Sequence, residues 1–355
     1  MPRPAAPLAR ELCAVYLLLI IYATLHPITS WRGAAMPPWA WLAHWPAITL
    51  PSDVVFNLLA YVPLGALLVW AARPKLRGPG AVLAAACAGA LLSLLLESLQ
   101  TYLPSRTPSM VDLAANAAGA LLGAAIAPLL LPVLEGDLLQ RIGEAWLQPG
   151  RSAARALILT GLWLFALLFP ESLLFGHGNA LTYFGGPLSG YPFTPAEFAR
   201  VETAVTGSSL FAAGVMLLCA LSPKAPRVVA LTLLLAVACA LRALSQAILF
   251  GTESAWAWLT PGAFRGLLAG AVALLVTLGL TPTMRLALLM IAVTFATVVV
   301  NIAPANPYYI AIVQGLNPGR FLDFNGLTQL VAAAWPFFAL FYAVLALAEG
   351  GQRQA

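Results

Sequence analysis

The feature that most constrains this chain is a series of apolar runs, each about 20 residues long and nearly free of charge, recurring along its length. A helix of that length covers a hydrocarbon layer roughly 30 Å thick, and in lipid every backbone N–H and C=O needs a partner within the protein. The reading is an all-α, polytopic transmembrane helical bundle. Ten spans are predicted: Glu11–Pro27, Asp53–Ala71, Pro79–Leu103, Met110–Leu134, Ala154–Phe175, Phe198–Leu221, Arg227–Phe250, Pro261–Leu280, Met284–Ala303 and Asn325–Ala348. Only Thr281, Pro282 and Thr283 separate the eighth span from the ninth, so these two also read as one bent hairpin.

Composition agrees. Apolar residues make up 61% of the 355 and charged residues 9%, against about 45–50% and 25% in a soluble domain. That excludes a cytosolic enzyme, a nucleic-acid binder, a disordered chain and a secreted disulfide scaffold. The net charge of +5 marks no nucleic-acid surface, because the basic residues are scattered singly between apolar runs. They read as topology signals. Arg3, Arg10, Arg73, Lys75, Arg77, Arg141, Arg151, Arg155, Lys224, Arg227, Arg285 and Arg353 fall on one side; Arg32, Arg106 and Arg320 fall on the other. The positive-inside rule then places both termini in the cytoplasm. The first span lacks a small-residue cleavage site and is read as an uncleaved helix. Trp31, Trp39, Trp41 and Trp45 crowd one external loop, as an interfacial belt does.

An internal, parallel repeat is suggested by matches at nearly constant offset between spans two to four and spans six to eight. Asp53 pairs with Glu202, Gly65 with Gly214, Pro74-Lys75 with Pro223-Lys224, Gln100 with Gln246, and Gly119 and Gly123 with Gly266 and Gly270. The predicted organisation is a four-span domain over residues 1–134, a cytoplasmic interfacial linker over 135–153, a degenerate four-span repeat over 154–281, and a C-terminal two-span hairpin and tail over 282–355. Arg200, Glu202, Arg242 and Arg265 read as a structural ion-pair cluster in the degenerate half.

The polar residues of the first copy are unusual for lipid-embedded helices. Asp53 and Asn57 stand four apart on span two; Ser93, Glu97 and Gln100 share a face of span three; Asp112 and Asn116 repeat the four-residue spacing on span four. Gly119 and Gly123 continue that stripe as a track where a neighbouring helix can approach closely. All the polar positions lie near the external helix ends, joined by a turn that carries Arg106. Asp53 and Asp112 also suit helix starts, and Asn57 and Asn116 suit interhelical hydrogen bonding. Glu97 stands inside an apolar run, and an intramembrane carboxylate is a functional-site candidate with Arg106 as its expected partner.

Asp53-x3-Asn57, Pro63-x-Gly65, Glu97-x2-Gln100, Arg106 and Asp112-x3-Asn116-x2-Gly119-x3-Gly123 together resemble the VanZ-like family of bacterial membrane proteins, over about residues 52–127. The resemblance implies a small helical membrane domain in residues 1–134, placement in the bacterial inner (cytoplasmic) membrane, and a role in the cell envelope or in tolerance to teicoplanin-type antibiotics.

Three functions fit the polar constellation. In the first, Asp53, Asn57, Glu97, Gln100, Arg106, Asp112 and Asn116 bind the head group of an envelope lipid, a lipid-linked cell-envelope precursor or a glycopeptide-like ligand, Arg106 pairing any anionic group. In the second, an intramembrane enzyme acts on a lipid-linked phosphate, with Glu97 as candidate catalytic acid or base, or with the carboxylates as metal ligands. In the third, the chain transports a lipid or small molecule. The sequence implies no cofactor and no resident metal. Expected partners are membrane lipids and such a ligand, with no nucleic acid. His26, His44 and His177 read as interfacial residues. Cys13, Cys87, Cys219 and Cys239 lie in apolar spans and read as small hydrophobes.

Overall fold

Thr-Pro pairs and prolines punctuate the helices. Thr194, Thr260 and Thr281 each cap a helix whose next residue is proline, their hydroxyls accepting from the N–H groups of Glu197, Ala263 and Met284. The computed structural model describes residues 5–26, 28, 31–33, 37–45, 51–73, 75–134, 136–169, 173–180, 193–304, 306 and 322–352. Eleven α-helices are found there: α1 (Ala5–Leu25), α2 (Pro51–Ala72), α3 (Gly78–Gln100), α4 (Met110–Leu134), α5 (Asp137–Trp146), α6 (Arg151–Ala166), α7 (Pro195–Ala220), α8 (Arg227–Phe250), α9 (Pro261–Thr277), α10 (Pro282–Ile302) and α11 (Leu322–Gln352).

Among the described residues, eight helices are long and apolar enough to cross a membrane: α1 to α4, α7, α8, α10 and α11. The protein is a multi-pass membrane protein. The fifth and eighth predicted spans are shorter than expected. α6 has 16 residues and ends in turns ahead of Pro170, because the residue before a proline is held out of the helical region. α9 has 17 residues and ends before Gly279 and the Thr281 cap. The eighth and ninth predicted spans are thus two separate helices. The Arg3, Arg320 and Arg353 positions and the end of the first predicted span at Pro27 lie outside the described residues, as do residues 181–192.

The chain divides into two compact units, 1–144 with 149–151, and 145–148 with 152–355. The boundary falls within and just after α5. In unit 1 the sidedness is inverted relative to a water-soluble protein. The buried face of α3 carries Ala81, Ala85, Gly89, Ser93, Leu96, Glu97 and Gln100, while Leu83, Leu91 and Leu95 are exposed. Lipid removes the drive to bury leucine, so helices associate through small residues that allow close backbone approach and through polar side chains that bond across the gap.

The glycine track performs that approach between α2 and α4. A Cβ on Gly119 would lie 2.2 Å from the Leu58 carbonyl oxygen, one on Gly123 1.8 Å from that of Val62, and one on Gly65 2.0 Å from that of Ala120. In unit 2, α9 meets α7 likewise: Gly270 faces the Gly207 carbonyl and Gly266 that of Thr203. The contacts of this second pair sit one helical turn away from those the sequence pairing matches with Leu58 and Val62.

Unit 2 holds the larger core, built on Trp163, Met216, Leu289, Val293 and Trp335. Residues 173–180 run through it without helix, and their polar backbone is satisfied from three helices. Thr206 Oγ1 donates to the Leu174 carbonyl (3.0 Å), Asn301 Nδ2 to that of Gly178 (2.8 Å), and the Gly178 N–H to the Ala332 carbonyl (2.9 Å). Irregular backbone inside such a bundle requires this protein cover. His177 lies in this segment, 2% exposed, with its ring 6.0 Å from Trp163 and 5.9 Å from Trp335. It is a core residue rather than an interfacial one.

Replacing Gly123 by alanine is expected to force α2 and α4 apart and lower stability by about 1–3 kcal/mol or more. Thermal unfolding in detergent measures it; an unchanged midpoint contradicts the close crossing.

Candidate functional site

The α2, α3 and α4 ends near Asp53, Gln100 and Met110 gather most of the predicted site. α3 stops at Gln100, and a turn over 101–109 returns the chain to α4. Ser109 is the N-cap: its Oγ accepts from the N–H groups of Val111 (3.2 Å) and Asp112 (3.4 Å). The Ser109 N–H in turn donates to Glu97 Oε2 at 2.9 Å. Glu97, 3% exposed, thereby ties the α3 end to the α4 start. The charges of Asp112 and Arg106 both lie close enough to act on it.

One turn deeper, Asn116 Nδ2 donates to Ser93 Oγ at 3.0 Å, joining α4 to α3. Both residues are buried. Asp112 accepts a hydrogen bond from the Asn57 side chain on α2, and Asp53 lies near enough to act on Asp112. Asp53 itself is exposed, while Asn57 and Asp112 are half-buried. A polar path therefore leads from exposed Asp53 through Asn57 and Asp112 to the buried pair of Glu97 and Asn116. Among the described residues, no three His, Cys, Asp or Glu side chains assemble as a metal-binding group.

One atom in this cluster is buried with no hydrogen-bond partner, Asn116 Oδ1. Tyr61 is 3% exposed on α2, with the Ser93 hydroxyl as its side-chain hydrogen-bond partner and the Glu97 charge nearby. Leaving a buried polar atom unpaired costs about 1–3 kcal/mol, and native structures fill such positions with water or ligand. Sequence reading missed Tyr61. The signal was present, because Asp53, Asn57 and Tyr61 continue one four-residue spacing along α2.

Gln100 and Arg106 also reach α1, which their sequence context does not suggest. Gln100 Nε2 donates to the Thr24 carbonyl at 3.0 Å. Arg106 Nε donates to the His26 carbonyl at 2.8 Å, and its Nη2 donates to the carbonyls of His26 and, at 3.3 Å, Ala23. These are the last carbonyls of α1 and its exit, which no intrahelical donor reaches. The two side chains close the α1 terminus.

Unit 2 uses the same chemistry. Arg242 Nη1 donates to the Phe169 carbonyl (2.7 Å) and Ser245 Oγ to that of Leu168 (2.8 Å), just past α6. Glu202 accepts from the Thr260 hydroxyl, with Arg242 and Arg265 as charged neighbours. Arg265 is exposed and its Nε bonds the Pro261 carbonyl of its own helix (2.9 Å).

The bundle and its buried polar cluster define a multi-pass membrane protein with a polar centre at one end of its first unit. Residues 13–131 match the VanZ/LLP1 family, and the chain carries a domain of that family over this stretch. The match takes in α2, α3, the 101–109 turn and the candidate residues at every position from Asp53 to Asn116. No curated protein and no solved structure matches the chain.

Substituting Arg106 by methionine removes the donors from the Ala23 and His26 carbonyls. The expected loss of stability is about 1.5–3 kcal/mol, with faster amide exchange confined to the last turn of α1. Exchange mass spectrometry reads both, and undisturbed protection there contradicts the clamp.

Proposed function

We propose that unit 1 is a binding module whose carboxylate and amide cluster holds a polar head group rich in hydrogen-bond donors. The observation that carries this reading is the buried, unpartnered Asn116 Oδ1 at the inner end of the path from Asp53. Asp53, Asp112 and Glu97 supply acceptors, and Asn57 and Asn116 supply amides of both kinds. Three carboxylates beside a single arginine favour hydroxyl and amine groups over a bare phosphate.

Sugar and amino-sugar head groups of envelope lipids and lipid-linked precursors, and glycopeptide-like ligands, have this chemistry. The basic residues grouped at the other helix ends support an external site with both termini in the cytoplasm, in keeping with a cell-envelope or teicoplanin-type tolerance role. Unit 2 is read as a degenerate copy. The glycine pair of α9 on α7 supports that, and the copy has no counterpart to Asn57, Glu97, Asp112 and Asn116 of the same kind.

The test uses two photoactivatable probes, a polyprenyl-phosphate and its amino-sugar-bearing form, on purified protein in native-lipid nanodiscs. Asp112→Asn and Asn116→Leu are each expected to reduce labelling by the amino-sugar probe about tenfold or more, the worth of a lost charge-assisted or buried hydrogen bond. Labelling by the plain phosphate probe should change little. Equal labelling of wild type and both variants by the amino-sugar probe overturns the reading.

A further inference from the structure

Unit 2 has a small polar cavity of its own, bounded by α7, α10, α11 and the irregular segment 173–180. It leaves about 10 Å³ for the centre of a water molecule. A single water needs about 10–15 Å³ on that measure, so the space takes one water and no larger group. His177, Ser209 and Thr297 line it with polar side chains, beside Ala296, Trp335 and Pro336; among the described residues, no acidic side chain does.

Two of those polar groups are orphaned. His177 Nδ1 and Thr297 Oγ1 are each buried with no hydrogen-bond partner among the described residues. His177 is 2% exposed, and Ser209, which brings a second hydroxyl, 4%. Threonines elsewhere in unit 2 spend their hydroxyls on the carbonyl one turn back, as Thr160 does on Ala156 (2.9 Å) and Thr203 on Ala199 (2.8 Å); Thr297 does not. Its hydroxyl lies against the segment that carries His177, since a Cβ on Gly178 would stand 3.1 Å from Thr297 Oγ1. Trp335 is no substitute partner, because its Nε1 donates to the Leu159 carbonyl (2.7 Å). The segment is held from α11 as well: Pro336 has no N–H for the Ala332 carbonyl, and the Gly178 N–H takes that place at 2.9 Å.

Buried polar atoms left unpaired are costly, and a buried water typically makes about three hydrogen bonds to such groups. An imidazole nitrogen and two hydroxyls around a water-sized space match that number. The Arg242 charge acts on His177, which disfavours a cation there and leaves a neutral occupant. We propose that this cavity is a binding site for one ordered water, held by His177 Nδ1, Thr297 Oγ1 and the Ser209 hydroxyl. The water joins the non-helical segment to α7 and α10, adding an anchor to those from Thr206, Asn301 and Ala332. Nothing in this inference depends on the carboxylate site or its occupant.

X-ray hydroxyl-radical footprinting of the full-length protein in nanodiscs tests this, because radicals formed from a bound water modify the side chains touching it even where bulk solvent does not reach. Wild type is expected to show modification at His177 and Trp335, despite their 2% and 3% exposure, with Met216, 0% exposed and outside the cavity, at background as the dry reference. Thr297→Val keeps the shape of the side chain but removes the hydroxyl, and Ala296→Val fills the space with methyl groups. Each is expected to drop His177 and Trp335 to background, while modification of exposed Trp39 and Trp256 holds. Thr297→Ser, which retains the hydroxyl, is expected to keep the wild-type signal. The inference is overturned if His177 and Trp335 are unmodified in wild type, or if Thr297→Val and Ala296→Val are modified there as wild type is. Because the wild-type measurement stands alone, the test holds even where a variant fails to fold.

Discussion

Helix ends, more than helix middles, determine how this bundle holds together. Each helix leaves its last carbonyls without intrahelical donors, and these need partners from elsewhere in the protein or from water. Four arginines do that work, two in each unit. Arg106 closes α1 and Arg10 closes α2; Arg242 closes the exit of α6, and Arg285 closes α9 through its Nε on the Thr277 carbonyl (2.9 Å) and Nη2 on that of Leu278 (2.7 Å). A guanidinium suits this role because its charge complements the negative end of the helix dipole and its fork reaches two carbonyls at once.

This arrangement changes the meaning of the few charged residues. Arg10 and Arg285 are readable from sequence only as orientation signals, yet each also joins two elements. Arg106 looks like the counter-ion of Glu97. Its charge acts on Glu97, and its donors also reach the α1 carbonyls, while Glu97 holds the N–H of Ser109. The acids of α2, α3 and α4 are consequently balanced by amides and backbone as well as by a cation. That balance makes the cluster suited to a donor-rich guest. The same logic separates the two ends of unit 1, one acidic and amide-rich, the other basic.

Much of this was legible in the sequence, for identifiable reasons. Apolar run length located the helices, and the four-residue spacing of Asp53 with Asn57 and of Asp112 with Asn116 placed those pairs on shared faces that do meet. Glycine spacing located the α2–α4 crossing. What stayed hidden depended on contacts between segments distant in sequence. Nothing near Gln100 or Arg106 in the chain points to α1, some 76 and 80 residues earlier. Tyr61 passed as an aromatic in an apolar run. His177 stood in a glycine-rich stretch that resembles a surface loop, and only the packing of Trp163 and Trp335 makes it core. The short α6 was signalled by Pro170, a residue that run length alone overlooks.

The central claim is that Arg106 closes α1, leaving the inner carboxylate and amide cluster open to a guest. A side-chain-resolving electron cryomicroscopy map of the protein in native-lipid nanodiscs tests it directly. The account predicts the Arg106 guanidinium on the carbonyls of Ala23 and His26, with ordered non-protein density within hydrogen-bonding distance of Asn116 Oδ1. A map with Arg106 released from α1, and with Asn116 Oδ1 bonded to a protein donor across a closed gap, would contradict it.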